Sequence, residues 1–172
     1  MKVQKMALLS VLTAAAIVIA IIESFIPSIW IPGIKLGLAN IFILIILYEI
    51  GIIEAVLVNL LRVFLVGLLR GTFLSMGFLM SLTGAVLSLG IMILFYLIIK
   101  RFSIIAVSVM GSLFHIFGQI LIAIIFLGTM SVLYYLPIIS ISAIVTGILV
   151  GIGAKLIIRT NVIKKLREKY EF

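Results

Sequence analysis

The stretch that decides the fold is Ile52–Leu69, IIEAVLVNLLRVFLVGLL, whose strongly polar residues are Glu54, Asn59 and Arg62. An arginine at the centre of a bilayer costs roughly 3 kcal/mol on insertion scales, so it usually faces a protein interior or a wet cavity. Asn59 and Arg62 are three residues apart and therefore share one face of the predicted helix. This face indicates a functional site inside a membrane protein.

The composition of the whole chain supports a membrane protein. Hydrophobic residues make up 66% of the 172 residues and charged residues only 10%, whereas soluble domains are about 45–50% apolar. The mean hydropathy is +1.54. At about 20 residues per transmembrane helix, the length predicts an all-α, polytopic membrane protein with one integral domain covering residues 1–172.

The apolar runs predict six transmembrane helices, at residues 6–26, 36–50, 52–69, 73–99, 104–127 and 133–158, with a basic tail at 159–172. Six helices place both termini on one side of the membrane. Most lysines and arginines fall on that side, and only Lys35 and Arg70 fall on the other. The positive-inside rule therefore predicts that both termini are cytoplasmic, and the net charge of +8 is a topology signal rather than a sign of nucleic-acid binding.

Polar side chains at membrane depth form the candidate site. The predicted substrate-binding residues are Glu23, Trp30, Lys35, Asn40, Asn59, Arg62, Arg70, His115 and Gln119. Two interpretations are open: a hydrogen-bond network in which Arg62 pairs with Glu23, or a solute site in an outward-open cavity. Four potentially cationic groups beside one carboxylate favour an anionic or acceptor-rich solute.

Other local patterns have a structural and a functional interpretation. Trp30, in the loop Pro27–Gly33, is predicted to anchor the chain at the membrane interface or to belong to a lid over the cavity. Ala16 and Ala20 share a face of the first helix, either for packing within the chain or for docking a partner helix. The pairs Gly67-x-x-x-Gly71 and Gly147-x-x-x-Gly151 predict close helix packing.

Several kinds of chemistry lack their residues in this sequence. It contains no Asp and no Cys, so an Asp-rich site for magnesium diphosphates and a thiolate metal site are both excluded. It also has no GxxxxGK[ST] phosphate-binding loop. We therefore expect no metal, no cofactor and no enzyme active site in this chain.

A set of motifs carries a family resemblance over roughly residues 5–155. The motifs, in chain order, are Pro32-Gly-Ile-Lys-Leu-Gly-Leu-Ala-Asn40, Glu54-Ala55, Leu61-Arg-Val63, Ser81-Leu-Thr-Gly84, His115-x-x-Gly-Gln119, Tyr135-Leu-Pro137 and Thr146-Gly147. Together they resemble the Gx transporter family, also labelled heptaprenyl diphosphate synthase component I. That family is similar to the substrate-binding S components of energy-coupling factor transporters.

The resemblance implies a six-helix S-component bundle in the plasma membrane of a prokaryote. It also implies an outward-facing solute site and docking of a coupling subunit, itself joined to two ATPase subunits, at Ala16 and Ala20. One position departs from the expected pattern, because Ile116 stands where the family has an asparagine after the histidine. Two alternatives remain open: a non-catalytic membrane subunit of prenyl diphosphate or quinone synthesis, and the membrane part of a flavin or quinone electron-transfer system.

Overall fold

The computed structural model describes residues 3–25, 35, 37–98 and 102–170, and this part of the chain is helical without any strand. The helices are α1 (Val3–Phe25), α2 (Asn40–Glu49), α3 (Ile52–Leu69), α4 (Met76–Ile98), α5 (Ile104–Leu127), α6 (Leu136–Arg159) and α7 (Val162–Tyr170), with a short 3-10 helix at Met130–Tyr135.

Five of the described helices, α1, α3, α4, α5 and α6, are long and apolar enough to cross a membrane. Large apolar side chains such as Ile53, Leu69 and Ile125 are about 70% exposed on the outside of the bundle. A soluble protein would cover such side chains, whereas lipid tails solvate them. The predicted membrane-embedded helical bundle is therefore confirmed, and the bounds of α3 and α5 coincide with the predicted spans.

The second predicted span, residues 36–50, differs from the structure. The helix there, α2, begins only at Asn40 and has ten residues, so it is about 15 Å long and covers half of a hydrocarbon core of about 30 Å. Its apolar residues Ile43–Leu47 are at most 1% exposed, because α2 packs against α1, α3, α4 and α6. The described part of the chain thus has five long helices around one short buried helix.

Polar contacts join the first and last helices to the same end of the bundle. Lys5 of α1 forms an ion pair with Glu54, and Arg167 Nη1 of α7 donates a hydrogen bond to the Glu49 carbonyl at 2.8 Å. Glu49 and Glu54 flank the short turn between α2 and α3. The start of α1 and helix α7 therefore lie at one end, as expected from the charge pattern; which side of the membrane this end faces stays a prediction.

Glycines allow α4, α5 and α6 to approach closely. A Cβ on Gly118 of α5 would lie 2.9 Å from Gly84 Cα of α4, and one on Gly147 or Gly151 would lie 2.7 Å from a Cα atom of α5. The predicted packing role of the Gly147 and Gly151 pair is confirmed.

The pair of Gly67 and Gly71 does not pack helix against helix as predicted. Gly71 has a φ of +63° and ends α3, and the next residue, Thr72, donates its N–H to the Gly67 carbonyl at 2.9 Å. This is the geometry of a glycine helix cap. Gly67 instead lies under the ring of Phe78, whose Cδ2 atom would be 2.6 Å from a Cβ placed there.

Ala16 and Ala20 are covered by the chain itself. Their exposed fractions are 0% and 8%, and Ala20 packs in a small cluster with Ala39 and Val66. Of the two interpretations, packing within the chain is the one that this burial favours. A docking role for these two residues stays a prediction, and it requires that the side chains become uncovered.

Candidate functional site

A cavity runs beside the second half of α3, in the half of the bundle away from the Lys5–Glu54 ion pair. Its volume is about 100 Å³, which is room for one small solute or about three waters. The lining residues come from α1, the segment before α2, α3, the following turn, α4 and α5: Ala20, Glu23, Lys35, Gly37, Arg62, Val63, Val66, Gly67, Arg70, Thr72, Gly77, Phe78, Ser81 and His115.

Five of the predicted site residues line this cavity: Glu23, Lys35, Arg62, Arg70 and His115. The other described ones, Asn40, Asn59 and Gln119, are buried beside it and act through hydrogen bonds. Trp30 and the Pro27–Gly33 loop lie outside the described residues. The sequence pattern did not identify the contribution of α4, where Phe78 and Ser81 form part of the wall.

Arg62 is the deepest cation of the cavity. Its side chain is 4% exposed, and Nη2 donates to Asn59 Oδ1 at 2.9 Å. Asn59 in turn donates to the Ala85 carbonyl at 3.0 Å. The predicted shared face of Asn59 and Arg62 is confirmed, and the asparagine holds the guanidinium in place.

No described carboxylate lies within ion-pair distance of Arg62. Arg62 and Glu23 are both among the described residues, and they form no ion pair within 4.0 Å, unlike Lys5 and Glu54. The Nε atom of Arg62 is buried and has no hydrogen-bond partner in the part of the chain that the structure describes. The pairing of Arg62 with Glu23, one of the two interpretations from the sequence, is therefore not formed.

The side chains of Glu23 and Gln119 form hydrogen bonds to the backbone of the segment before α2, whose described residues are 35 and 37–39. The Glu23 carboxylate accepts the N–H groups of Gly37 and Leu38, the latter at 3.1 Å. Gln119 accepts the Lys35 N–H at 2.9 Å and donates to the Lys35 carbonyl at 3.1 Å. These two residues therefore attach the segment to α1 and α5, a positioning role that the sequence pattern did not predict.

His115 lies at the same depth as Arg62. Its ring packs against Gly84 of α4, next to the carbonyl that fixes Asn59, and its Nδ1 atom is buried without a partner. Gly37, with a φ of +83°, covers the ring, because a Cβ there would lie 3.4 Å from His115 Cδ2. Two buried atoms of residues that line the cavity, Arg62 Nε and His115 Nδ1, thus have no hydrogen-bond partner among the described residues.

Asn40 has a structural role beside this end of the cavity. It donates to Ser88 Oγ of α4 at 3.2 Å, and both side chains are buried. The bond fixes the first residue of α2 to the middle of α4, which explains why α2 starts halfway through the bundle.

The mouth of the cavity carries the other two cations. Arg70, at the end of α3, is exposed, and its Cζ atom lies 6.0 Å from the centre of the Phe25 ring. Lys35 is half-buried. Burial lowers the pKa of the Lys35 ammonium below its ordinary value, and the Glu23 carboxylate partly opposes that shift.

Comparisons with known proteins identify one family. A family model described as heptaprenyl diphosphate synthase component I matches residues 12–157, a range that contains every predicted site residue. No curated protein and no solved structure matched the chain. The family named from the motifs is thereby confirmed, while its similarity to S components stays a prediction.

Proposed function

We propose a function from the premise that this chain belongs to the heptaprenyl diphosphate synthase component I family. The chain is the membrane-embedded substrate-binding subunit of an energy-coupling factor-type importer in a prokaryotic plasma membrane. It binds a small anionic or acceptor-rich solute from the outer side. The observation that carries this proposal is Arg62, a cation in the middle of a spanning helix that lines a cavity and forms no ion pair with any described carboxylate.

The energetics of Arg62 support an anionic ligand. Removal of an ion from water costs several kcal/mol of desolvation free energy, and only close partners with good geometry offset this cost. Asn59 supplies one neutral acceptor, and Nε has none. A carboxylate or phosphate in the cavity would accept charge-assisted hydrogen bonds from the Arg62 guanidinium. Such bonds are roughly twice as strong as neutral ones.

The proposed transport role requires partners, because the sequence contains no nucleotide-binding loop. We propose that a membrane coupling subunit and two ATPase subunits supply the energy. The chain itself is proposed to bind and release solute without catalysing a reaction.

Purification from native membranes in mild detergent tests the proposal, with mass spectrometry of the bound proteins and extracted small molecules. We expect ATPase subunits with phosphate-binding loops, a multi-span coupling protein and a co-purified anionic solute. The variant Arg62→Gln should lose the solute, whereas Arg159→Gln, at the exposed end of α6, should keep it. Equal solute recovery in both variants would remove Arg62 from the site.

The name of the family favours a second candidate, a non-catalytic subunit that holds a prenyl diphosphate for a separate synthase. The same purification distinguishes the two. Recovery of a catalytic chain with two Asp-rich motifs, and of no ATPase, would replace the importer by this accessory subunit.

A further inference from the structure

Two arginines line the cavity at separate positions along α3. Arg62 and Arg70 both line it and are eight residues apart on α3, which corresponds to about 12 Å along the helix axis. On α3 the lining residues between them are apolar, namely Val63, Val66 and Gly67, and Phe78 of α4 covers Gly67. The α3 wall of the cavity therefore has an arginine near each end and an apolar middle.

The charges at the two ends are not equally compensated by the protein. Glu23 accepts two backbone N–H groups and acts electrostatically on both Arg62 and Lys35. Within the described part of the chain, Arg62 is bonded to the neutral Asn59 and Arg70 stacks near the Phe25 ring. The described lining thus sets three cationic side chains, Lys35, Arg62 and Arg70, against the one carboxylate of Glu23, which leaves two positive charges for a ligand to balance.

We infer that the solute is a dianion with an anionic group, carboxylate or phosphate, at each end of a short apolar spacer. This inference rests on the proposed function and specifies its substrate class. One anionic group lies between Arg62 and His115, the spacer lies along Val66 and under Phe78, and the second group meets Arg70 at the mouth. A single-headed anion would leave one arginine and the opposite end of the cavity unfilled.

Binding of matched synthetic anions to the purified full chain in detergent tests this inference. The probes are the dicarboxylates succinate, adipate and suberate, and hexanoate, which has the chain length of adipate but only one charge. A fifth probe, 4-phosphonobutyrate, shows whether a phosphonate replaces one carboxylate. We expect at least one two-headed probe to bind about tenfold or more tightly than hexanoate, with an optimum in spacer length.

The two arginine variants give the sharper readout. Arg70 is exposed, so Arg70→Gln should fold normally and reduce the affinity of the best two-headed probe to that of hexanoate, without changing hexanoate binding. Arg62→Gln should weaken the binding of both by about a hundredfold, and Arg159→Gln should change neither.

The outcomes separate this inference from the proposed function. Equal affinity for adipate and hexanoate, with both dependent on Arg62, would overturn the two-headed solute and leave an anion-binding subunit. The absence of binding by every two-headed probe would also overturn it, while the co-purified solute and partners would still decide the proposed function. Unchanged binding of the best two-headed probe in Arg70→Gln would overturn the assignment of the second anionic group to Arg70.

Discussion

Two regions of this protein place charged side chains in or near the membrane, and they treat them differently. At the end that holds the two terminal helices, Lys5 pairs with Glu54 and Arg167 donates to the Glu49 carbonyl. In the cavity beside the second half of α3, Arg62 hydrogen-bonds to the neutral side chain of Asn59 and forms no ion pair within 4.0 Å with any described residue. In the first region, charged side chains join helices to one another. In the second, Asn59 fixes the position of a cation, Arg62, whose Nε atom has no described hydrogen-bond partner.

The same contrast exists inside the cavity. The side chains of Glu23 and Gln119 are hydrogen-bonded to the backbone of the segment before α2. Arg62 Nε and His115 Nδ1, in contrast, have no hydrogen-bond partner among the described residues. The filled groups set the position of Lys35 and Gly37. The unfilled ones are the groups that a ligand can complete.

Replacement of Arg62 should have the largest effect on function. We expect Arg62→Gln to reduce anion affinity by about a hundredfold, since hydrogen bonds to a charged group are worth about 1.5–3 kcal/mol each. The variant should remain about as stable as the parent, because it removes a buried charge that has no described carboxylate within ion-pair distance. Ligand titration and thermal unfolding in detergent measure the two effects; a cooperative loss of stability without loss of affinity would show that Arg62 is structural.

Replacement of Glu23 should have the largest effect on stability. Glu23→Ala leaves two backbone N–H groups buried without an acceptor, at a cost of about 1–3 kcal/mol each. We expect a clearly lower unfolding temperature, together with faster hydrogen exchange at Gly37 and Leu38. A variant with parental exchange at these amides would mean that the segment before α2 does not depend on Glu23.

The pH dependence of binding should report Lys35. Because burial lowers the pKa of this ammonium, the anion affinity is complete below that pKa and falls as the pH rises through it, earlier than an ordinary lysine would cause. We expect the affinity to decline by about tenfold at alkaline pH. Lys35→Arg keeps the positive charge and should flatten the profile; superimposable profiles for the two proteins would exclude Lys35 from binding.

The ion pair at the opposite end should matter least. The Lys5 and Glu54 side chains are partly buried, so we expect the pair to be worth about 1 kcal/mol, the upper end of the range for exposed pairs, and Lys5→Gln, Glu54→Gln and the double variant should each change the unfolding free energy by about that much. The double-variant cycle gives the coupling directly, and anion affinity should be unchanged. A loss of affinity in Glu54→Gln would erase the contrast between the two regions.

The long helices could be predicted from the sequence because length and hydropathy are sufficient for a membrane span. α3 and α5 begin and end at the predicted residues. The length of α2 could not be predicted in this way, because hydropathy does not distinguish a spanning helix from a short helix that is buried by its neighbours. The turn at Gly37 and the bond from Asn40 to Ser88 decide where α2 begins, and both depend on tertiary contacts.

The site could be predicted in part for a similar reason. Asn59 and Arg62 share a helix face, so their hydrogen bond follows from local geometry. Glu23 and Gln119 are also at the cavity, but their partners are backbone atoms far away in the sequence. Only the path of the segment before α2 shows that these polar atoms are already used.

The short helix α2 has a consequence for how the chain is assembled in the membrane. A helix of ten residues is too short to be held by lipid as an independent segment, and its first residue is a buried asparagine that bonds to α4. The helices that cover it include α3, α4 and α6, which are synthesised later. We therefore expect α2 to reach its final position only after most of the chain has been inserted, so that formation of the cavity is among the last steps of biogenesis.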